Sequence, residues 1–145
     1  MIVDANVLLY AVDRTSAFHS QAKAWLESSL NGPTRVGFPW VSLIAFQRIS
    51  THPRALANPL SPKEAWSYLT EWLDADQSWI PTPGEWHANI LGRLIAGTDA
   101  RGNLITDAHL AALALEHGVA VSSFDSDFAR FPELTWFNPA HIQPT

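Results

Sequence analysis

The 145-residue chain contains no cysteine. This absence excludes disulfide bonds, zinc sites with cysteine ligands and enzymes that use a thiol nucleophile. It is also the composition expected of a protein in a reducing compartment, where thiol-based stabilisation is rare.

Long apolar runs are also absent. No run approaches the roughly 18 residues needed to cross a bilayer as a helix. The apolar fraction of 47% and the mean hydropathy of -0.02 are typical of a globular, soluble chain. The length fits one domain over residues 1–145. We therefore expect a single-domain cytoplasmic protein that does not associate with membranes.

Positive charge is scarce. Nine lysines and arginines stand against 14 acidic residues, which gives a net charge of -5. This balance argues against a sequence-independent nucleic-acid binder, because such proteins are usually basic. It leaves open an enzyme whose acids surround a cation, since a bound metal reverses the local effect of charge. Most of the basic residues are arginines, whose planar fork suits phosphate oxygens.

Short apolar runs alternate with segments of helical periodicity, which is typical of an α/β protein. Strands are predicted within the first residues and over 34–38, 79–80 and 119–124. Helices are predicted after residue 6 and over 16–30, 40–51, 85–96 and 106–117, and a further helix is predicted to open at Ser61 and to carry an apolar stripe as far as Trp72. Ser61 and Thr106 are the predicted N-caps, and Gly97 and Gly118 the predicted stops.

Asp4 interrupts the apolar run that opens the chain. An ionised carboxylate is costly to bury unless hydrogen bonds, a cation or a metal replaces its hydration. Asn6 lies near the start of the next predicted helix and is available to cap it. We therefore predict that Asp4 has partners elsewhere in the chain and a functional role.

Two further acids occupy chemically suggestive positions. Asp107 follows the predicted cap Thr106 and would lie in the first turn of a helix. Taken alone, that position favours a simple interaction with the helix dipole, worth roughly 0.3–1 kcal/mol. Asp125 comes directly after the predicted strand over 119–124, at its carboxyl end.

The three acids are expected to meet at one edge of the sheet. Ligands of open parallel sheets bind beyond the carboxyl ends of the strands, where Asp4 and Asp125 fall. A helix that begins near Asp107 can face the same edge. Three clustered carboxylates repel one another unless a hard cation lies between them, and Mg²⁺ and Mn²⁺ prefer such oxygen ligands. The sequence therefore predicts a metal site.

These motifs resemble the PIN-domain family, and within it the VapC-type toxin ribonucleases of bacterial toxin–antitoxin pairs. The resemblance extends from residue 1 to about residue 131. The segments that carry it are Ile2-Val3-Asp4-Ala5-Asn6, Gly102-Asn103, Asp107-Ala108-His109-Leu110-Ala111-Ala112-Leu113-Ala114, Glu116-His117-Gly118 and Ser123-Phe124-Asp125-Ser126-Asp127-Phe128.

The resemblance implies a three-layer α/β/α domain with a short central parallel sheet. It implies an endoribonuclease that uses one or two Mg²⁺ or Mn²⁺ ions to hydrolyse phosphodiester bonds in structured cellular RNA, such as tRNA or rRNA. It also implies a homodimer and a VapB-like antitoxin that blocks the site.

By position, Asp4, Asp107 and Asp125 match the first, third and fourth acids of the family and are the predicted catalytic and metal-binding residues. Asp127 matches a common but less essential acid. Arg48, Arg54 and Arg101 are candidates for holding phosphate, with a plain solvated role as the alternative.

The sequence departs from the family at its second acid, which is usually a glutamate and aligns here with Ala45. No carboxylate exists between Glu27 and Glu64. Water, Ser42 or Asp127 is the expected substitute ligand. This departure keeps open a catalytically weak or silent protein that binds antitoxin or RNA. A haloacid-dehalogenase-like phosphatase is a more distant alternative, because Asn6 occupies the place where such enzymes need a second aspartate.

Overall fold

The computed structural model of the protein describes residues 1–141. Its centre is a five-stranded sheet in which every neighbouring pair of strands is parallel. The strand order is β3-β2-β1-β4-β5. The strands are β1 (Ile2–Val3), β2 (Val36–Gly37), β3 (Ser78–Trp79), β4 (Val121–Ser122) and β5 (Trp136–Phe137). The first four occur at the predicted segments, whereas β5 is a short edge strand that the sequence patterns do not predict.

Six α-helices surround the sheet. They are α1 (Ala5–Val12), α2 (His19–Leu30), α3 (Trp40–Ser50), α4 (Pro62–Asp74), α5 (His87–Thr98) and α6 (Asn103–His117). Two 3₁₀ turns, Ser126–Arg130 and Pro139–His141, follow β4 and β5. Within residues 1–141, none of the helices has the length and apolar character that a membrane span requires.

The hydrophobic core lies on both faces of the sheet. Ile2 and Val3 are both fully buried, and as successive strand residues they point to opposite faces. Ile2 packs with residues of α5 and α6 such as Leu110, whereas Val3 packs with residues of α1 to α4 such as Phe46. The layers are therefore helix, sheet and helix, and the predicted α/β/α fold class is confirmed.

The start of α6 differs from the prediction. The helix begins at Asn103, one turn before the predicted start, because Gly102 adopts a φ of 57° that turns the chain into the helix. Thr106 is therefore a helical residue and not the cap, and Asp107 lies beyond the first turn. The helix-dipole interpretation of Asp107 is wrong, because that interaction is confined to the first turn.

The end of α5 also differs. The helix continues past Gly97 to Thr98, and Asp99 forms the left-handed C-cap with a φ of 50°. Short polar side chains tolerate this conformation better than most. By contrast, Gly118 closes α6 as predicted, with a φ of 67°.

The capping box predicted at the start of α4 is present. Ser61 Oγ accepts a hydrogen bond from the Glu64 amide, and Glu64 Oε1 accepts one from the Ser61 amide, each at 3.1 Å. Pro62 occupies the first helical position, where its missing N–H costs nothing.

Replacing the cap should destabilise the protein measurably. We expect Ser61→Ala to lower the free energy of unfolding by about 1 kcal/mol, because the Glu64 amide at the helix start loses its hydrogen-bond acceptor. Urea denaturation monitored by circular dichroism measures this. Ser67→Ala in the same helix is the control, since it removes an exposed hydroxyl that bonds only to the Lys63 carbonyl. An equal loss in both variants would contradict the capping role.

Candidate metal centre

Asp4 lies directly after β1 and is the N-cap of α1. Its Oδ1 accepts a hydrogen bond from the Ala5 amide at 2.7 Å. Its Oδ2 accepts from Ser123 Oγ at 2.7 Å and from Asn6 Nδ2 at 3.2 Å. The contact with Ser123 follows from the parallel register of the two central strands, which pairs Val3 with Ser122. Asp4, not Asn6, is therefore the capping residue of α1.

Asn6 joins the two central strands at their carboxyl ends. Its Nδ2 donates to Ser123 Oγ at 3.0 Å as well as to Asp4, and its Oδ1 accepts from the Phe124 amide at 3.1 Å. Sequence reasoning considered Asn6 only as a helix cap and missed this role. The side chain is an amide already engaged on both sides, so it offers no acid or base for the phosphatase alternative.

Ser123 is the second residue that sequence reasoning missed. Its hydroxyl donates to Asp4 and accepts from the Asp125 amide at 3.0 Å. Asp125 Oδ1 in turn accepts from the Asp127 amide at 2.9 Å, which starts the 3₁₀ turn Ser126–Arg130. The signal in the sequence is the serine two residues before an aspartate, a spacing at which hydroxyls bond to the backbone.

Neighbouring serines provide a test of this arrangement. Ser122 and Ser123 are both fully buried, but Ser122 Oγ has no hydrogen-bond partner among residues 1–141. We expect Ser123→Ala to lower the free energy of unfolding by about 1–3 kcal/mol, because Asp4 loses a donor in a buried setting. Ser122→Ala should be neutral or slightly stabilising in the same denaturation experiment. The reverse order would show that Ser123 does not position Asp4.

Three carboxylates converge near the hydrogen-bonded group of Asp4, Asn6 and Ser123. Asp107, Asp125 and Asp127 each offer an oxygen, and these oxygens all lie within 4.8 Å of one another. Asp107 is 9% exposed and is supplied by α6, whereas Asp127 lies on the surface. Arg130 contacts the cluster from outside, with its Nε at 3.7 Å from Asp127 Oδ1.

The electrostatics of the cluster reflect crowded negative charge. Burial, followed by the charges of Asp125, Asp4 and Asp127, raises the pKa of Asp107 to about 7. Burial also raises the pKa of Asp4, with a smaller contribution from Asp125, while hydrogen bonds from Ser123 and Ala5 oppose the rise. The effect of Asp4 on the pKa of Asp107 indicates that the capping acid adjoins the cluster.

The donor set fits a hard divalent cation. Carboxylate oxygens are the ligands that Mg²⁺ and Mn²⁺ prefer, and a cation would offset the repulsion that raises the pKa of Asp107. The predicted set was Asp4, Asp107 and Asp125. The structure groups Asp107 and Asp125 most tightly with Asp127, whereas the Asp4 carboxylate is held by Ser123 and Asn6.

The position aligned with the missing acid lies on α3. Ala45 lines an open groove that Thr106 borders from α6. Ser42, the other expected substitute, is 2% exposed, and its Oγ has no hydrogen-bond partner within residues 1–141. Asp127 is the substitute that the structure places among the other acids.

Arg48 and Arg101, two of the arginines predicted to bind phosphate, have different surroundings. Arg48 is exposed and lines the same groove as Ala45. Arg101 is also exposed, but its Nη2 pairs with Asp99 Oδ2 at 3.0 Å. Of these two arginines, Arg48 is the one that borders the groove lined by Ala45 and Thr106.

Sequence comparisons identify the family. The PIN-domain family matches residues 1–134. The chain is 45% identical to Ribonuclease VapC37 of Mycobacterium tuberculosis over 138 residues, which covers 95% of this chain and 96% of the relative. Identity of this extent over nearly the full length of both proteins leaves no large unmatched region.

Solved structures agree in fold. VapBC2 of Rickettsia felis, crystallised with a DNA fragment from its promoter, matches with a TM-score of 0.69 and 18% identity over 94% of this chain and 96% of that chain. A toxin–antitoxin complex from Klebsiella pneumoniae matches with a TM-score of 0.62 and 17% identity over 97% and 98%. The family match over residues 1–134 and the relative at 45% identity establish that this chain belongs to the PIN-domain family and, within it, to the VapC type.

Proposed function

We propose that this protein is a metal-dependent endoribonuclease and the toxin of a toxin–antitoxin pair. The observation that carries the proposal is the cluster at the carboxyl edge of the sheet, where burial and the neighbouring carboxylates raise the pKa of Asp107 to about 7. The relative at 45% identity is named a ribonuclease, which supports the same activity here.

In this proposal Asp4, Asp107 and Asp125 hold one or two Mg²⁺ or Mn²⁺ ions. Asp127 supplies the carboxylate that Ala45 cannot, since its oxygen lies with those of Asp107 and Asp125. A bound cation supplies a water of lowered pKa and charge that offsets the phosphorane-like transition state. In the reaction a water oxygen bonds to phosphorus and one ester P–O bond of the RNA breaks.

The residues around the acids have their own tasks. Asn6 and Ser123 hold the Asp4 carboxylate in one orientation through the hydrogen bonds described above. Such supporting contacts typically change metal affinity or activity by roughly 10–100-fold when they are lost. Arg48 is proposed to contact a phosphate of the substrate, because it is exposed and borders the groove next to the cluster.

The proposed partners follow from the family. We propose a VapB-like antitoxin as inhibitor, a homodimer as the assembled form, and structured cellular RNA such as tRNA or rRNA as the substrate. A cytoplasmic location and a single domain over residues 1–145 belong to the same proposal. The support is the match to VapC-type relatives across nearly the whole chain.

Cleavage assays on purified, antitoxin-free protein test the activity. We expect the wild type to cut a total RNA pool when Mg²⁺ or Mn²⁺ is added and to stop when EDTA is added. Asp4→Asn should fail to cut under all conditions, because its weaker oxygen donor cannot replace the carboxylate. Asp76→Asn is the control, since Asp76 is exposed and precedes β3 at the opposite edge of the sheet.

Ala45 stands where the family usually has a glutamate. Its presence favours one alternative, a protein that keeps the fold and binds antitoxin or RNA without cutting. Calorimetric titration with Mn²⁺ separates the two. A wild type that binds no metal and behaves like Asp4→Asn on RNA would replace the enzyme proposal with the binding role. Metal binding together with cleavage would exclude that role.

A further inference from the structure

Three exposed side chains form a ridge along α3. Trp40, Ile44 and Arg48 follow one another at intervals of four residues, so they lie on one face of the helix. The indole of Trp40 is 44% exposed and Ile44 is 56% exposed, which is unusual for large apolar side chains. This face of α3 is therefore not covered by the rest of the described chain.

The ridge borders a groove of about 410 Å³, which Trp40, Val41, Ile44, Ala45 and Arg48 line from α3 and Thr106 lines from α6. Thr106 directly precedes Asp107. The helix that carries the ridge starts just after β2, at the same sheet edge as Asp4. The groove therefore adjoins the acids that are proposed to cut RNA.

Basic residues lie at the far end of the groove. At Arg48 it meets a second depression of about 240 Å³, which is lined by Ile49, His52, Arg54 and Ala55. Residues 28–63 contain four basic residues and no carboxylate, although the whole chain has a net charge of -5. Within residues 1–141, neither Arg48 nor Arg54 forms an ion pair. Free guanidinium groups of this kind suit phosphate oxygens.

We propose that this groove binds an unpaired stretch of RNA that leads into the acidic cluster. One base stacks on the indole of Trp40, and the phosphates that follow contact Arg48 and Arg54. Only an unpaired nucleotide can offer its face to an aromatic side chain, and such stacking tolerates any base. The inference rests on the proposed function and assigns Trp40, Arg48 and Arg54 to the binding of its RNA substrate.

The occupant is identified as nucleic acid by charge. An exposed apolar ridge alone would also fit a second copy of the chain or another protein. The acid-free segment and the two free arginines at the far end match a polyanion that enters along the groove. An aromatic side chain next to arginines is the combination that single-stranded nucleic-acid sites use.

Fluorescence anisotropy with a labelled, unstructured 12-nucleotide RNA tests the inference. Every protein carries Asp107→Asn so that the RNA stays intact. We expect Trp40→Ala to weaken binding by about tenfold or more, and Trp40→Phe to retain most of the affinity, because base stacking needs an aromatic ring. Trp66→Ala is the matched control, since Trp66 is 48% exposed on α4. The same RNA annealed into a duplex should bind more weakly than the single strand.

The salt dependence of RNA affinity measures the contribution of Arg48 to binding. We expect Arg48→Ala to weaken binding and to reduce the slope of log affinity against log salt concentration by about 0.7, the value for one lost phosphate contact on a single strand. Arg93→Ala is the control, because Arg93 is exposed and pairs with Glu133 at 3.0 Å. An unchanged slope in the Arg48 variant would remove this residue from the site.

Three results would overturn the inference. The first is that Trp40→Ala binds RNA as tightly as Trp66→Ala. The second is that the duplex binds as tightly as the single strand. The third is that Trp40→Ala changes the oligomeric state of the protein, measured as the mass of the assembled species in analytical ultracentrifugation. The last result would assign the ridge to contacts between copies of the chain. Cleavage by the wild type is measured separately, so Trp40-dependent binding without cleavage contradicts the proposed activity but not the groove.

Discussion

Asp107→Asn is expected to reduce RNA cleavage by at least about a hundredfold, since a metal centre contributes several kcal/mol to transition-state stabilisation. Asp107 is the most buried acid of the cluster, and three other carboxylates influence its pKa. The variant keeps the shape of the side chain but loses a negative oxygen. Initial rates on a defined RNA at saturating Mg²⁺ measure the loss.

Asp127→Asn is compared with Asp107→Asn in the same cleavage assay. Its side chain is 51% exposed and contacts Arg130. We expect a smaller loss, on the order of tenfold, because water can replace an exposed carboxylate oxygen on a Mg²⁺ ion. Asp76→Asn should cut at the wild-type rate. Equal losses for Asp107→Asn and Asp127→Asn would place the two acids in the same role. Full activity of Asp107→Asn would exclude it from the centre.

Without metal, Asp107→Asn is expected to stabilise the protein at alkaline pH. The pKa of Asp107 is about 7 in the folded protein, above its ordinary value of 3.8. Ionising this carboxyl therefore costs more in the folded chain than in the unfolded one. Below pH 3.8 the penalty is absent, between pH 3.8 and 7 it grows, and above pH 7 it is complete.

We expect Asp107→Asn to exceed the wild type by on the order of 2–4 kcal/mol at pH 8 in EDTA, and by much less at pH 5. Urea denaturation at the two pH values measures the difference. Added Mg²⁺ should raise the stability of the wild type at pH 8 and reduce the gap, because a ligand of the folded state stabilises it. A gap that does not change with pH would show that the cost of ionising Asp107 in the folded protein is not its cause.

The helices could be predicted closely where local chemistry decides their limits. Ser61, Pro62 and Glu64 form the predicted capping box, and Gly118 ends α6 as predicted. The start of α6 could not be predicted from Thr106, because Gly102 turns the chain into the helix a full turn earlier. Strand β5 also escaped prediction, since two residues are too few for a periodic pattern and its place depends on pairing with β4.

The acids of the candidate site were visible in the sequence, but their relations were not. Asp4 and Asp125 could be placed at the carboxyl edge because each follows an apolar run. The grouping of Asp107 with Asp125 and Asp127 depends on how α6 and the 3₁₀ turn pack. The roles of Asn6 and Ser123 likewise require a contact between segments more than a hundred residues apart.

By itself, the sequence determined the α/β class, the family and the identity of the acids, because periodicity, caps and short motifs are properties of neighbouring residues. Tertiary structure alone decided the hydrogen bonds that orient Asp4, the pKa of Asp107 and the groove between α3 and Thr106. Each of these depends on distance and burial across the parallel pairing of β1 with β4 and the packing of helices on the sheet. A linear pattern contains neither quantity.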